Sequence, residues 1–403
     1  MEHEEHSREE EAELEAYRRN ISLYPLYSFF LGMLIIGPVL TPYLLLKGLD
    51  YVQIMVLQSI SAATVVFFEV PTGMVADRVS RRLSLVLAGA GMSGGLVLYI
   101  LGQTFFWLAL AEFVFALGLT CRSGAAAALL YESLKKLGRQ AEFARIDGRA
   151  NSYVFVGQAA GTLLSSVLYT YDPDLPFWVG VASAAVAAGL AFFFSPTGDA
   201  STPVRYRTHV FDSVRQIYRS KALLWIGALA ALMGVAARTG FWLYEPYFTA
   251  VDIDVVFFGG IFFVYNLVAA GAAKYLTRSG GGERRTLLGL GLLLGLSFLL
   301  PALFFSRLSV AFIGLQQIVR GLYKPTLGAY INVQVTEDRY RATVLSLAGL
   351  ATSLCFALFS PLVGFSLDRW GAVPTYACMG SATLAGVCLL ACWRTEKKQP
   401  PGE

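Results

Sequence analysis

GMVADRVSRR, Gly73 to Arg82, packs Asp77, Arg78, Arg81 and Arg82 into a short stretch between two apolar runs. IMVLQSISAATVVFFEVPT precedes it and LSLVLAGAGMSGGLVLYI follows it. Each run reaches the ~18 residues that mark a membrane-spanning helix. The charged stretch therefore reads as a loop at a membrane surface, and runs of the same kind recur along the chain. Of 403 residues, 56% are hydrophobic and only 15% charged, too little charge to cover a soluble protein of this length. The pattern predicts an all-α membrane protein with twelve spans, at 21–46, 52–76, 83–103, 105–134, 146–170, 175–195, 222–249, 255–276, 285–306, 308–334, 342–367 and 372–393.

The distribution of Lys and Arg sets the expected orientation. With the N-terminus inside, cations crowd the segments around Arg18, Arg78, Lys135, Arg149, Arg215, Arg284 and Lys397, whereas the outside loops hold only Lys47, Arg307 and Arg369. Both termini are thus expected in the cytoplasm, and the net charge of +4 is a topology signal that leaves no case for a nucleic-acid partner. The start, MEHEEHSREEEAELEAYRRN, lacks the apolar core of a cleavable signal peptide. Its HEEH is not a zinc-binding HExxH and reads as part of a solvated acidic tail. The five cysteines lie in or beside apolar runs with no CxxC and are expected to be free.

The expected organisation is a tail over 1–20, a six-span bundle over 21–196, a basic central loop over 197–221, a second six-span bundle over 222–394, and a tail over 395–403. The halves echo each other. PYLLLKGLDYV from Pro42 resembles PYFTAVDIDVV from Pro246, CRSGAAAALLY around Arg122 resembles VRGLYKPTLGAY around Arg320, and GRANS around Arg149 resembles YRATV around Arg341. A parallel duplication of six spans is an arrangement that transporters build around a central site.

GMVADRVSRR resembles the G-x-x-x-D-R-x-G-R-R signature of the major facilitator superfamily, departing from it only at Ser80. With the span count, the basic central loop and the duplication, the resemblance covers essentially the whole chain and points to the family's drug:proton antiporter-like efflux branch. It implies two pseudo-symmetric six-helix bundles working by alternating access. It also implies that Gly73, Asp77, Arg78, Arg81 and Arg82 form a latch between helices. The repeat-related loop GAAKYLTRSGGGERR has Tyr275 where Asp77 would stand, so a second latch there is degraded. GFSLDRWG, Gly364 to Gly371, repeats the spacing on the opposite membrane side and is expected to brace a helix end. In span 5, GQAAGT from Gly157 is similar to the family's antiporter element but carries Thr162 in place of proline.

An ionisable side chain in a span costs about 2.5–3.5 kcal/mol even on lenient scales, so each one needs a reason. Glu112 and Arg122 lie in span 4, Arg238 and Glu245 in span 7, Arg320 and Lys324 in span 10, and Glu69 near the end of span 2. The resemblance makes spans 1, 4, 7 and 10 the lining of the central cavity. Arg320 and Lys324 share a helix face, with Gln316 and Gln317 one turn back. The expected substrate-binding set is Arg122, Arg238, Arg320, Lys324, Gln316, Gln317, Trp242 and Tyr43; the expected proton carriers are Glu112, Glu245 and Glu69. Structural ion pairing, such as Glu112 with Arg238, is the competing reading. The expected function is proton-coupled efflux of a small anionic or zwitterionic amphipathic compound by a monomer in the cell (inner) membrane, with no cofactor and no catalytic site. A broad-specificity drug:proton antiporter, a lysolipid or glycolipid flippase, and a non-transporting receptor or scaffold are the alternatives.

Overall fold

The computed structural model describes residues 2–33, 35–197, 221–275, 282–334 and 338–393. Most of the central loop, the 395–403 tail and the loop over 276–281 lie outside the described residues. Inside a bilayer, backbone N–H and C=O groups find no water, and an α-helix satisfies them within one segment. The described residues follow that rule: helix succeeds helix with no strand among them. Nine helical segments among them are long and apolar enough to cross a membrane, counting 105–136 as one. This is a multi-pass membrane protein.

The helices are α1 (Glu2–Gly32), α2 (Leu40–Leu46), α3 (Tyr51–Arg78), α4 (Arg81–Leu101), α5 (Phe105–Arg122), α6 (Ala125–Lys136), α7 (Phe143–Tyr171) and α8 (Leu175–Phe192). After the central loop come α9 (Lys221–Ala250), α10 (Phe258–Tyr275), α11 (Glu283–Leu303), α12 (Val310–Gln334), α13 (Asp338–Trp370) and α14 (Ala372–Cys392). The chain divides into two compact units. One comprises Met1–Leu49 and Ile60–Thr202, the other Asp50–Ser59 and Pro203–Glu403.

Two expected spans are not single helices. Span 21–46 ends as α1 at Gly32 and resumes as α2 at Leu40. Gly37-Pro38 lies in the gap, and proline lacks an N–H and disfavours helix in the residue before it. Span 105–134 breaks at Ser123-Gly124, where Gly124 takes φ +76° and opens α6. A side chain is strained there, so glycine is the residue that permits the turn. At its start, α1 runs without interruption from the acidic tail into the first apolar stretch.

In the first unit Tyr24, Leu130, Leu134 and Ala150 form a core joining α1, α6 and α7. Buried Asn20 ties α1 to its neighbours. Its amide donates to Ser133 Oγ and to the Ser195 carbonyl, each at 3.0 Å, and accepts from Ser195 N–H at 2.7 Å. At the α4–α5 crossing, a Cβ on Gly118 would stand 2.7 Å from Met92 N and 2.8 Å from Ala88 O, so the absent side chain lets the two backbones touch. In the second unit, fully buried Trp225 donates its indole N–H to Leu390 O at 2.8 Å, fastening α9 to α14. Phe248, Phe258, Phe298 and Tyr376 are likewise fully buried in this unit.

Candidate functional site

The α12 helix carries a cluster of polar side chains. Gln316 and Gln317 are buried, while Arg320 and Lys324 stand exposed on successive turns of one face. Gln317 Nε2 donates to the Tyr244 hydroxyl at 2.8 Å, and that hydroxyl donates to Gln316 Oε1 at 3.0 Å. Arg320 Nη1 donates to Gln317 Oε1 at 3.4 Å and to Asn266 Oδ1 at 3.2 Å. Three helices thus contribute to one chain of bonds: α12, Tyr244 from α9 and Asn266 from α10. Arg320's oxygen partners are neutral amides, which orient the guanidinium without neutralising it. Gln316 Nε2 has no hydrogen-bond partner among the described residues, although the side chain is buried. A buried amide donor in this state has an unmet demand worth about 1–3 kcal/mol.

The remaining expected residues are placed as follows. Arg238 lies 4.3 Å over the Phe356 ring, Trp242 is half-buried, and Glu245 is buried. Tyr43 is buried in the first unit, donating to Asp174 Oδ1 at 2.6 Å and packing its ring 3.9 Å from Phe177. Glu112 is buried and accepts the Tyr99 hydroxyl. Arg122 closes α5, where a cation suits the helix C-terminus. Glu69 is exposed and accepts from Ser123 Oγ at 3.3 Å, bracing the α5–α6 break from α3. Arg122 and Glu112 belong to the first unit, Arg238, Glu245, Arg320 and Lys324 to the second.

At the signature loop, Arg81 pairs with Glu132 of α6 and lies 3.8 Å from Asp77. Asp77 and Arg78 are exposed and Arg82 half-buried. Ser80 replaces the motif's glycine as the extended N-cap of α4, its hydroxyl accepting from Leu83 N–H at 3.4 Å. A Cβ on Gly73 would meet open space.

Close backbone approach occurs at the second G-x-x-x-D element. A Cβ on Gly364 would stand 2.5 Å from Tyr51 O. One turn on, the Asp368 carboxylate accepts Tyr51 N–H at 3.0 Å and Val52 N–H at 2.8 Å. These are first-turn donors of α3 that have no partner within the helix, and the carboxylate also complements its positive end. Two turns deeper, Ser59 and Ser360 hydroxyls meet at 2.7 Å. Asp368 is a helix-end brace, within the second unit. Sequence reading missed Tyr244, Asn266, Tyr51 and Ser360, all of which act through contacts between helices that no periodicity encodes.

A family model described as Major Facilitator Superfamily matches residues 27–354. The chain belongs to the Major Facilitator Superfamily. No curated protein sequence matches it. Among solved structures, the nucleoside transporter NupG aligns with TM-score 0.74 at 12% identity, covering 94% of this chain and 98% of that one. A bacterial homolog of the human lysosomal transporter Spinster, inward-facing and unoccupied, aligns with TM-score 0.69 at 17% identity over 94% and 95%. A POT family transporter in complex with 5-aminolevulinic acid gives 0.66 at 14% over 94% of each chain. At such identities these likenesses speak for the fold. The Major Facilitator chain is accordingly a secondary membrane transporter working by alternating access, and not an enzyme.

Proposed function

We propose that this transporter exports a small anionic or zwitterionic amphipathic compound across the cell membrane, driven by protons, with both termini cytoplasmic. One observation carries the substrate reading: Arg320 is exposed, oriented by Asn266 and Gln317 amides, with Lys324 one turn along the same face. A guanidinium held this way offers a planar fork to a carboxylate or phosphate, and Lys324 adds a second positive charge. Gln316 Nε2 supplies a further donor beneath them. Arg122, Arg238 and Trp242 complete the proposed binding set, Tyr43 supporting it only through packing in the first unit. A zwitterionic amino acid in a structural neighbour, 5-aminolevulinic acid, is a ligand of the proposed class.

Buried Glu112 and Glu245 are the proposed proton carriers, with Glu69 held in reserve because of its exposure. Gly73, Asp77, Arg78, Arg81 and Arg82 are proposed to latch one access state, as the family resemblance implies, with Arg81 anchored on Glu132.

The test is uptake into inside-out vesicles or proteoliposomes under an imposed pH gradient, across anionic, zwitterionic and cationic metabolites. The proposal expects accumulation of anionic or zwitterionic compounds that Arg320→Ala reduces tenfold or more, a loss matching about 1.5–3 kcal/mol for a hydrogen bond to a charged group. Arg320→Lys should restore only part. Glu112→Gln or Glu245→Gln should abolish gradient-driven uptake. Accumulation of lipophilic cations indifferent to Arg320→Ala overturns the substrate reading, and uptake indifferent to both Gln variants overturns the coupling.

A further inference from the structure

The second unit holds a cavity that the α12 face does not use. It lies between α9, α13 and α14 and encloses about 500 Å³. On α13 its wall runs from Cys355 to Trp370, a length of roughly 22 Å at 1.5 Å rise per residue. That is a slot reaching from one end of the span past the middle of a ~30 Å hydrocarbon core. Its wall is almost wholly carbon and contains no Asp, Glu, Lys, Arg or His.

Part of the slot's wall reaches the surface of the chain. Phe359, Leu362 and Trp370 line it and are also exposed at the chain's surface, where Leu354, Leu358 and Phe365 extend the same apolar stripe along α13. In a membrane protein an apolar stripe of this kind faces acyl chains, whereas a water-filled passage carries polar groups. Trp370 sits at the end of α13 next to exposed Arg369, the pairing that anchors helix ends among lipid headgroups.

The hydroxyls in the wall are not equivalent. Ser366 and Thr375 meet at 2.7 Å, and Thr383 donates to Met379 O at 2.7 Å. Thr239 is different: it is 1% exposed, lines the slot, and its Oγ1 has no hydrogen-bond partner among the described residues. From Ala250 at the end of α9, Thr239 lies roughly 16 Å down the helix. Leaving a buried hydroxyl unmade is unfavourable, and a plain alkyl chain cannot satisfy it.

We propose that this slot binds a single-chain amphiphile from the bilayer, its charged head at the Arg369–Trp370 end and an oxygen part-way down its aliphatic tail hydrogen-bonded to Thr239. The shape selects one chain, the uncharged wall excludes the head, and the lone unmet hydroxyl asks for a tail that is not pure hydrocarbon.

The slot contains its own reporter, because Cys355 is a free thiol in its wall, while free Cys121 lies in the other unit. Full-length protein in phosphatidylcholine nanodiscs is alkylated with N-ethylmaleimide in the presence of stearate or of a hydroxystearate bearing its hydroxyl at mid-chain. The rate at each thiol is read by peptide mass spectrometry. Both chains should slow Cys355 and leave Cys121 unchanged, with the hydroxylated chain effective at roughly two- to tenfold lower concentration, the range one hydrogen bond supplies. Thr239→Val should erase that preference and Thr239→Ser should keep it. Cys355 unprotected by either chain overturns the site; equal protection by both, or a preference that survives Thr239→Val, overturns the role of the hydroxyl.

Discussion

A single hydroxyl decides how firmly Arg320 is aimed. The Tyr244 oxygen receives Gln317 and gives to Gln316, so both buried amides depend on it. Tyr244→Phe keeps the ring and its packing against Phe248 and Phe262 but leaves those amides unsatisfied. The expected cost is about 1–3 kcal/mol, read as a lower thermal unfolding midpoint of the purified protein. Affinity for an anionic substrate should fall with it, because Gln317 then turns away from Arg320. A midpoint equal to wild type would show that water or a rearranged amide replaces the hydroxyl. At this scale the sequence was informative in one direction only. The i,i+4 spacing of Arg320 and Lys324, with two glutamines one turn back, was visible along the chain. Tyr244 and Asn266 lie far from α12 in sequence, and their part depends on how three helices pack.

Helices record the next scale, where hydropathy marked nearly every one and missed two interruptions. A window average sees α5 and α6 as one apolar stretch, because Ser123-Gly124 changes the backbone direction without changing polarity. Gly37-Pro38 lies between apolar residues on both sides, so the same average carries straight across the α1–α2 gap. Helix contacts are just as local in origin. Gly118→Ala should force α4 and α5 apart, since the added carbon would stand 2.7 Å from Met92 N and backbone cannot yield as a side chain does. Overpacking of this sort costs about 1–3 kcal/mol. Gly94→Ala on α4 meets nothing within 4 Å and should be neutral or slightly stabilising, since alanine is the better helix former. Thermal unfolding of the two variants side by side checks the pair; equal midpoints would refute the close crossing.

For the whole molecule, the fold class was readable because a bilayer tolerates so few architectures, and the family because the signature loop survives almost intact. Less legible was how one helix is apportioned: α3, with Asp50 just before it, belongs to the second unit up to Ser59 and to the first from Ile60 onward. The second unit holds that segment through Asp368, Gly364 and the Ser59–Ser360 contact. A cysteine pair at Ser59 and Ser360, in a background lacking the five native cysteines, should form a disulfide readily under mild oxidant. Adding Asp368→Ala should slow that cross-link severalfold, because two charge-assisted bonds to the start of α3 are gone. An unchanged rate would mean that the serine contact stands without the brace. The brace also has an unequal ancestry in its two halves. Asp368 is a particular residue that mutation can take away, but its partners at 51 and 52 are main-chain N–H groups that nineteen of the twenty amino acids provide. The first turn of α3 is therefore free to drift in sequence without loosening these two bonds, and from that side only proline, which removes one N–H at a time, could weaken the contact.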